Sequence, residues 1–118
     1  MQTKKPKRAK PFAASLASQK MLEAAGWTVG KVEQRIPGTF ITRDLFGYAD
    51  LEAISPSRGV MHIQATGGGN LNARAAKIRK EPRAGIALAA GIRIQVHDWV
   101  KRAGQKQREC RILEITKL

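Results

Sequence analysis

A carboxylate, an amide and a hydroxyl fall at positions from which one β-hairpin can gather them. Asp50 lies in Gly47-Tyr48-Ala49-Asp50-Leu51, and Gln64 and Thr66 lie in Ile63-Gln64-Ala65-Thr66. Between the two segments stands Ser55-Pro56-Ser57-Arg58-Gly59, a composition that makes turns. Side chains two apart on a strand project to the same side, so Gln64 and Thr66 point together. In simple hairpin register they come beside Asp50. The carboxylate, the amide oxygen, the hydroxyl and the Ala65 carbonyl are oxygen ligands of the kind Mg²⁺ accepts alongside water. Each residue also has a plainer role. Asp50 can close a turn, and Gln64 and Thr66 can be ordinary polar residues of a half-exposed strand.

The elements that must position these groups are legible in the pattern. Phe12 to Ala25 is rich in Ala, Leu, Met, Gln and Lys, and Gly26 sits where a helix cap belongs, which predicts a helix. Trp27 to Ile36 reads as a strand ended by Pro37-Gly38, Tyr48 to Ile54 as a second and Val60 to Thr66 as a third. After Gly67-Gly68-Gly69, Asn70 is placed to cap a helix to about Lys80, and Glu81-Pro82 opens a shorter one to Ala90. Ile92 to His97 alternates as a strand, and Arg111 to Ile115 is the last. The expected architecture is α/β, a mixed central sheet flanked by helices with one parallel crossover into the Ile92 strand. Residues 1–11 read as a flexible basic arm and residues 12–118 as a single domain.

An N-terminal helix, Gly-Tyr-Ala-Asp-Leu, apolar-Gln-Ala-Thr and then a basic helix, taken in that order, resemble the PD-(D/E)XK nuclease superfamily. The likeness is to its Holliday-junction-resolvase and VRR-NUC branches and covers about residues 12–97. It implies a restriction-endonuclease-like sheet, with Asp50 and Gln64 at the two metal-binding positions and Thr66 where the motif lysine stands. Thr66 departs from the pattern, since a hydroxyl carries no charge. Lys77 or Arg74, on the following helix, would then supply the missing cation. Glu23 matches the acid that many members carry on the first helix, and Asp44 is a second candidate for that role. The composition-based alternative for Glu23 is a solvated helix residue. The implied activity is hydrolysis of DNA phosphodiesters assisted by Mg²⁺ or Mn²⁺, selective for branched structures, with water attacking phosphorus in line. A homodimer is implied by the resemblance only. Asp50 alone would hold a dication weakly, so Glu23, Asp44 or the substrate phosphate would have to add charge.

Charge supports a polyanionic partner independently. Twenty-two Lys and Arg stand against nine Asp and Glu, a net +13. Without Lys4, Lys5, Lys7, Arg8 and Lys10 the remainder still carries 17 against 9, or +8. Neutralising phosphates releases condensed counterions, so a basic body as well as a basic arm points to nucleic acid, with an acidic protein partner or a merely basic surface as the plainer alternatives. Arg35, Arg43, Arg74, Lys77 and Arg79 are the expected phosphate contacts. Gly68, Gly69 and Asn70 would offer backbone amides at a helix start, or else merely connect strand to helix. Two other functions stay open: a catalytically degenerate DNA-binding protein on the same fold, and an RNA- or ribosome-associated protein. His62 and His97 lack partners at zinc-ligand spacing, and the single Cys110 excludes an internal disulfide and suits a reducing compartment. No apolar run approaches the ~20 residues of a membrane span. The expected location is the cytoplasm, associated with the nucleoid.

Overall fold

A computed structural model describes residues 12–116, and the arm read at residues 1–11 lies outside them. The first helix, α1 (Ala14–Ala24), stops where the composition says it should. Gly26 has φ 94° and donates its N–H to Glu23 O, while Trp27 N–H donates to Leu22 O. That pair of bonds is a Schellman cap, a conformation glycine adopts without steric cost. Trp27 and Leu22 then pack together in the core, so the cap also aims the chain into the sheet.

Strands β1 (Thr28–Lys31), β4 (Leu51–Ser55), β5 (Gly59–Gly67), β6 (Arg93–Val100) and β7 (Glu109–Ile115) form one sheet in the order β1-β4-β5-β6-β7. Strands β2 (Gln34–Arg35) and β3 (Thr42–Arg43) make a separate two-stranded ribbon. Pairing is antiparallel throughout the main sheet except between β5 and β6. The parallel pair is joined by α2 (Leu71–Arg79) and α3 (Pro82–Ala89), so the expected crossover is present. The fold is α/β, a mixed five-stranded sheet with three helices packed around it.

Alternation along the strands divides the core in two. Leu51, Ala53, Met61 and Ile63 pack with Leu22 and Trp27 against α1. Ile94, Val96 and Ile115 pack with Leu71, Ala75, Ile78, Ala84 and Ala87 beneath α2 and α3. Register pairs His62 with Ile94, Gln64 with Val96 and Thr66 with Asp98. Paired residues share a face, so Gln64 and Thr66 look toward the α2 and α3 side. Burying one such Leu or Ile is worth about 1.5–3 kcal/mol, so a one-residue slip that exchanged the faces would be costly.

Two expectations need correction. The stretch Trp27 to Ile36 is not one strand: β1 is an edge strand with only Val29 half-buried, and the chain then leaves for the β2–β3 ribbon. The second strand begins at Leu51 rather than Tyr48. Tyr48 and Ala49 are buried, yet they belong to a tight turn in which Leu45 and Ala49 exchange backbone hydrogen bonds of 2.8 and 3.0 Å. Their apolar character serves the core and not a ladder.

Candidate metal centre

The turn that interrupts the expected strand is what builds the site. Gly47 N–H donates to Asp44 O, and Phe46 and Gly47 both take positive φ, 55° and 76°. Only glycine takes that conformation freely, and a Cβ at Gly47 would stand 3.1 Å from an Arg83 nitrogen. The turn folds Asp44 back over the start of β4. There its carboxyl meets Asp50, and Glu33, from the connection between β1 and β2, joins them. One carboxylate oxygen from each of Glu33, Asp44 and Asp50 lies within 4.8 Å of the others.

Asp50 is the buried member of the trio, 8% exposed. Its backbone N–H donates to Ile63 O at 2.9 Å, and its carboxylate accepts the Ala65 N–H at 2.8 Å. The hairpin therefore does bring Asp50 to the Gln64–Thr66 segment. Burial pushes its pKa up to about 8, helped by the hydrogen bond and charge of Asp44 and by Glu33, and opposed by the Ala65 amide. Carboxylates this close cannot all be charged unless a proton or a cation stands among them.

Gln64 is 5% exposed and turns its amide toward the same place. Its Nε2 donates to Tyr48 O at 3.1 Å and reaches Asp44 Oδ2 at 3.4 Å, which leaves Oε1 buried with no hydrogen-bond partner among the described residues. Tyr48 is itself held firmly. The Glu52 carboxylate can only accept, so His62 Nε2 carries the proton it donates at 2.8 Å, and His62 Nδ1 accepts from the Tyr48 hydroxyl at 2.8 Å. Burial, with the nearby Glu52 charge, raises the Tyr48 hydroxyl to about 12, in keeping with its role as a donor.

The other expected residues separate. Glu23 is exposed on α1, which covers the sheet face opposite Gln64 and Thr66, so it does not complete the site. Glu33 and Asp44 take that part. Ala65 touches Asp50 through its amide N–H. Thr66 is buried beside Asp98, and no hydrogen bond joins its hydroxyl to the carboxylates among the described residues. Lys77 is exposed and Arg74 half-buried on α2, and neither forms an ion pair with the trio. Arg35, Arg79, Gly68 and Gly69 are exposed, as nucleic-acid contacts would be. Asn70 holds the N-cap position of α2 without a side-chain capping bond. The glycine loop is also less open to an anion than expected, because the Gly69 N–H already donates to the buried Asp98 carboxylate at 3.2 Å. Cys110 is half-buried on β7, its thiol pushed up to about 11 by burial and by Asp98, which is no setting for a nucleophile.

Sequence reasoning overlooked one cation at the site. A pocket of about 350 Å³ opens beside Asp44, and its walls are Thr42, Arg43, Gly47 and Arg83. Arg43 arrives on β3 and Arg83 from the first turn of α3, where its guanidinium pairs with Glu81 and lies over Phe46. Two guanidiniums beside three carboxylates suit a phosphate that shares a cation with the acids. No protein-family model matches the chain, and no curated protein or solved structure matches it.

Proposed function

We propose that this chain is a metal-dependent nuclease of PD-(D/E)XK type that hydrolyses DNA phosphodiesters. The observation that carries the proposal is the meeting of Glu33, Asp44 and Asp50 within 4.8 Å, with the buried amide of Gln64 reaching Asp44 through Nε2 and holding an unpartnered Oε1. These groups fit a divalent cation: three carboxylates supply charge, and a neutral amide oxygen adds a ligand without further repulsion. The element order supports the same assignment, since the strand that follows Asp50 and the strand that carries Gln64 are an antiparallel pair followed by a helical crossover to a parallel strand.

Mg²⁺ or Mn²⁺ held there would stabilise charge on phosphate oxygens and make water more acidic. Asp50, Asp44, Glu33 and Gln64 would hold the cation. Asp50 would hold the cation as the carboxylate and would therefore have to be deprotonated there. Arg43 and Arg83 would orient the phosphate, and Arg83 would provide the fixed positive charge that Thr66 cannot. Branched DNA remains the expected substrate class, and the cytoplasm with its nucleoid the expected location. Thr66 gives a second reading its footing: a DNA-binding protein of the same type that no longer cleaves.

Two measurements test the proposal. In calorimetric titration without DNA, Mn²⁺ should bind with the release of protons, and Asp50→Ala should weaken binding at least about tenfold, the order expected for loss of a charged ligand. Glu33→Gln and Asp44→Asn should weaken it as well, while Glu23→Gln should not. Cleavage of linear and branched DNA with Mn²⁺ should then disappear in Asp50→Ala. Cation binding without cleavage would select the non-cleaving reading, and cleavage that survives Asp50→Ala would remove the site altogether.

A further inference from the structure

A second concave surface lies where α1 begins, at the end of β6 and the connection that follows it. It is a cleft of about 750 Å³ in which Phe12 and Trp99 provide aromatic surface and Lys20, Lys101, Lys106 and Arg108 provide charge. Among the described residues that line it, none is acidic. The two rings meet at 5.9 Å between centroids with their planes 53° apart. Trp99 is fixed by the bond from its Nε1 to Ser18 Oγ at 2.9 Å. The Arg108 guanidinium lies 4.4 Å over the Phe12 ring and donates to Trp99 O at 3.1 Å. Phe12 thus remains 42% exposed and yet has a defined place.

We infer that this cleft binds one unstacked nucleobase of a single-stranded nucleic acid, with the flanking phosphates on Lys20, Lys101, Lys106 and Arg108. The occupant must present a flat apolar face and negative charge within one small volume. A nucleotide does both. In a duplex the base faces are hidden in the stack, so a paired strand cannot reach the rings. Gly67 closes the wall: a Cβ there would stand 3.3 Å from Arg108, 3.5 Å from Trp99 O and 3.9 Å from Phe12. Gly67 ends β5 three residues after Gln64, about 10 Å along a strand. The inference shares a nucleic-acid partner with the proposed function but requires neither cation nor cleavage.

The test uses the whole chain in EDTA, so that failure of the metal site leaves it untouched. A labelled oligothymidylate of about 12 nucleotides, within the span of single-strand binding sites, is compared by fluorescence anisotropy with an abasic oligomer of equal length and charge. Thymidylate should bind roughly tenfold tighter than the abasic strand, the scale of one base–aromatic stack. Phe12→Ala should abolish that difference and Phe12→Tyr should keep it, with circular dichroism confirming that both variants fold. Lys20→Ala with Lys106→Ala should lower the salt slope by roughly 1.4, about 0.7 for each phosphate no longer neutralised. Equal affinity for abasic and thymidylate strands, or a thymidylate preference that survives Phe12→Ala, would overturn base recognition in the cleft. A duplex whose affinity falls with Phe12→Ala as much as that of the single strand would overturn the strandedness.

Discussion

Asp50 sits where an acid is expensive, and its raised pKa has a consequence for stability. The unfolded carboxyl titrates near 3.8 and the folded one near 8, so the folded protein binds the extra proton. Its contribution is fully present below the unfolded value and is lost as pH rises through the folded one. His97 works in the opposite sense. Burial lowers it to about 4, so stability is present above about 6.5 and falls as pH drops toward 4. The two slopes oppose each other below pH 6.5, and between about 6.5 and 8 that of Asp50 dominates. Cation-free protein should therefore lose stability between about pH 6.5 and 8 in urea denaturation, and Asp50→Asn should be the more stable protein at pH 8. The gain should be on the order of a few kcal/mol, since each tenfold change in proton affinity is about 1.4 kcal/mol. A wild type as stable at pH 8 as Asp50→Asn would mean that Asp50 is not held protonated. At this scale the sequence pointed to Asp50 and Gln64, and to Asp44 as a second candidate acid, but not to Glu33. Asp50 and Gln64 are brought together by a hairpin, which the turn residues between them announce. Glu33 and Asp44 come from irregular segments, where no periodicity says which way a side chain points.

Elements were read well wherever one face alternates against a core. β5 and β6 follow period-2 patterns, and their parallel pairing follows from the helices between them. The misreadings fall where burial and pairing part company, as at Tyr48 and Ala49, which are buried in a turn. The joint between α1 and β6 was not legible either, since it depends on a serine 79 residues from its histidine. Gln95 Oε1 accepts from His97 Nε2 at 2.9 Å, His97 Nδ1 then accepts from Ser18 Oγ at 2.9 Å, and Ser18 accepts from Trp99 Nε1. Every proton in that chain has one place to go, which suits a His97 kept neutral by burial. Ser18→Ala deprives both His97 and Trp99 of a partner in the interior. It should cost roughly 1–3 kcal/mol, the usual penalty for buried polar groups left unpaired. Chemical denaturation at pH 7.5 measures it. A cost below about 0.5 kcal/mol, the level of an ordinary surface substitution, would mean that packing alone holds α1 to the sheet.

Across the whole molecule the nine acids have specific places. Glu33, Asp44 and Asp50 form the trio, and Asp98 is buried against the glycine loop. Glu52 holds His62, and Glu81, Glu109 and Glu114 pair with Arg83, Arg102 and Arg93. Glu23 alone stands exposed on a helix without an ion pair among the described residues. Arg35, Arg43, Arg74, Lys77 and Arg79, with the four cations of the aromatic cleft, have no ion pair among the described residues. The positive field of the body therefore does not depend on the five basic residues between Lys4 and Lys10. Replacing Lys4, Lys5, Lys7, Arg8 and Lys10 by Gln separates the two contributions. Duplex DNA binding should persist, because a net +8 remains. The slope of log affinity against log salt should fall by at most about 4.5, at about 0.9 for each phosphate left without its cation. Anisotropy over a salt series reads both quantities. Loss of all binding at low salt would locate the phosphate contacts in those five residues and leave the folded body without a nucleic-acid surface. A persisting, shallower slope would place them on the folded body, among the cations that have no ion pair within the described residues.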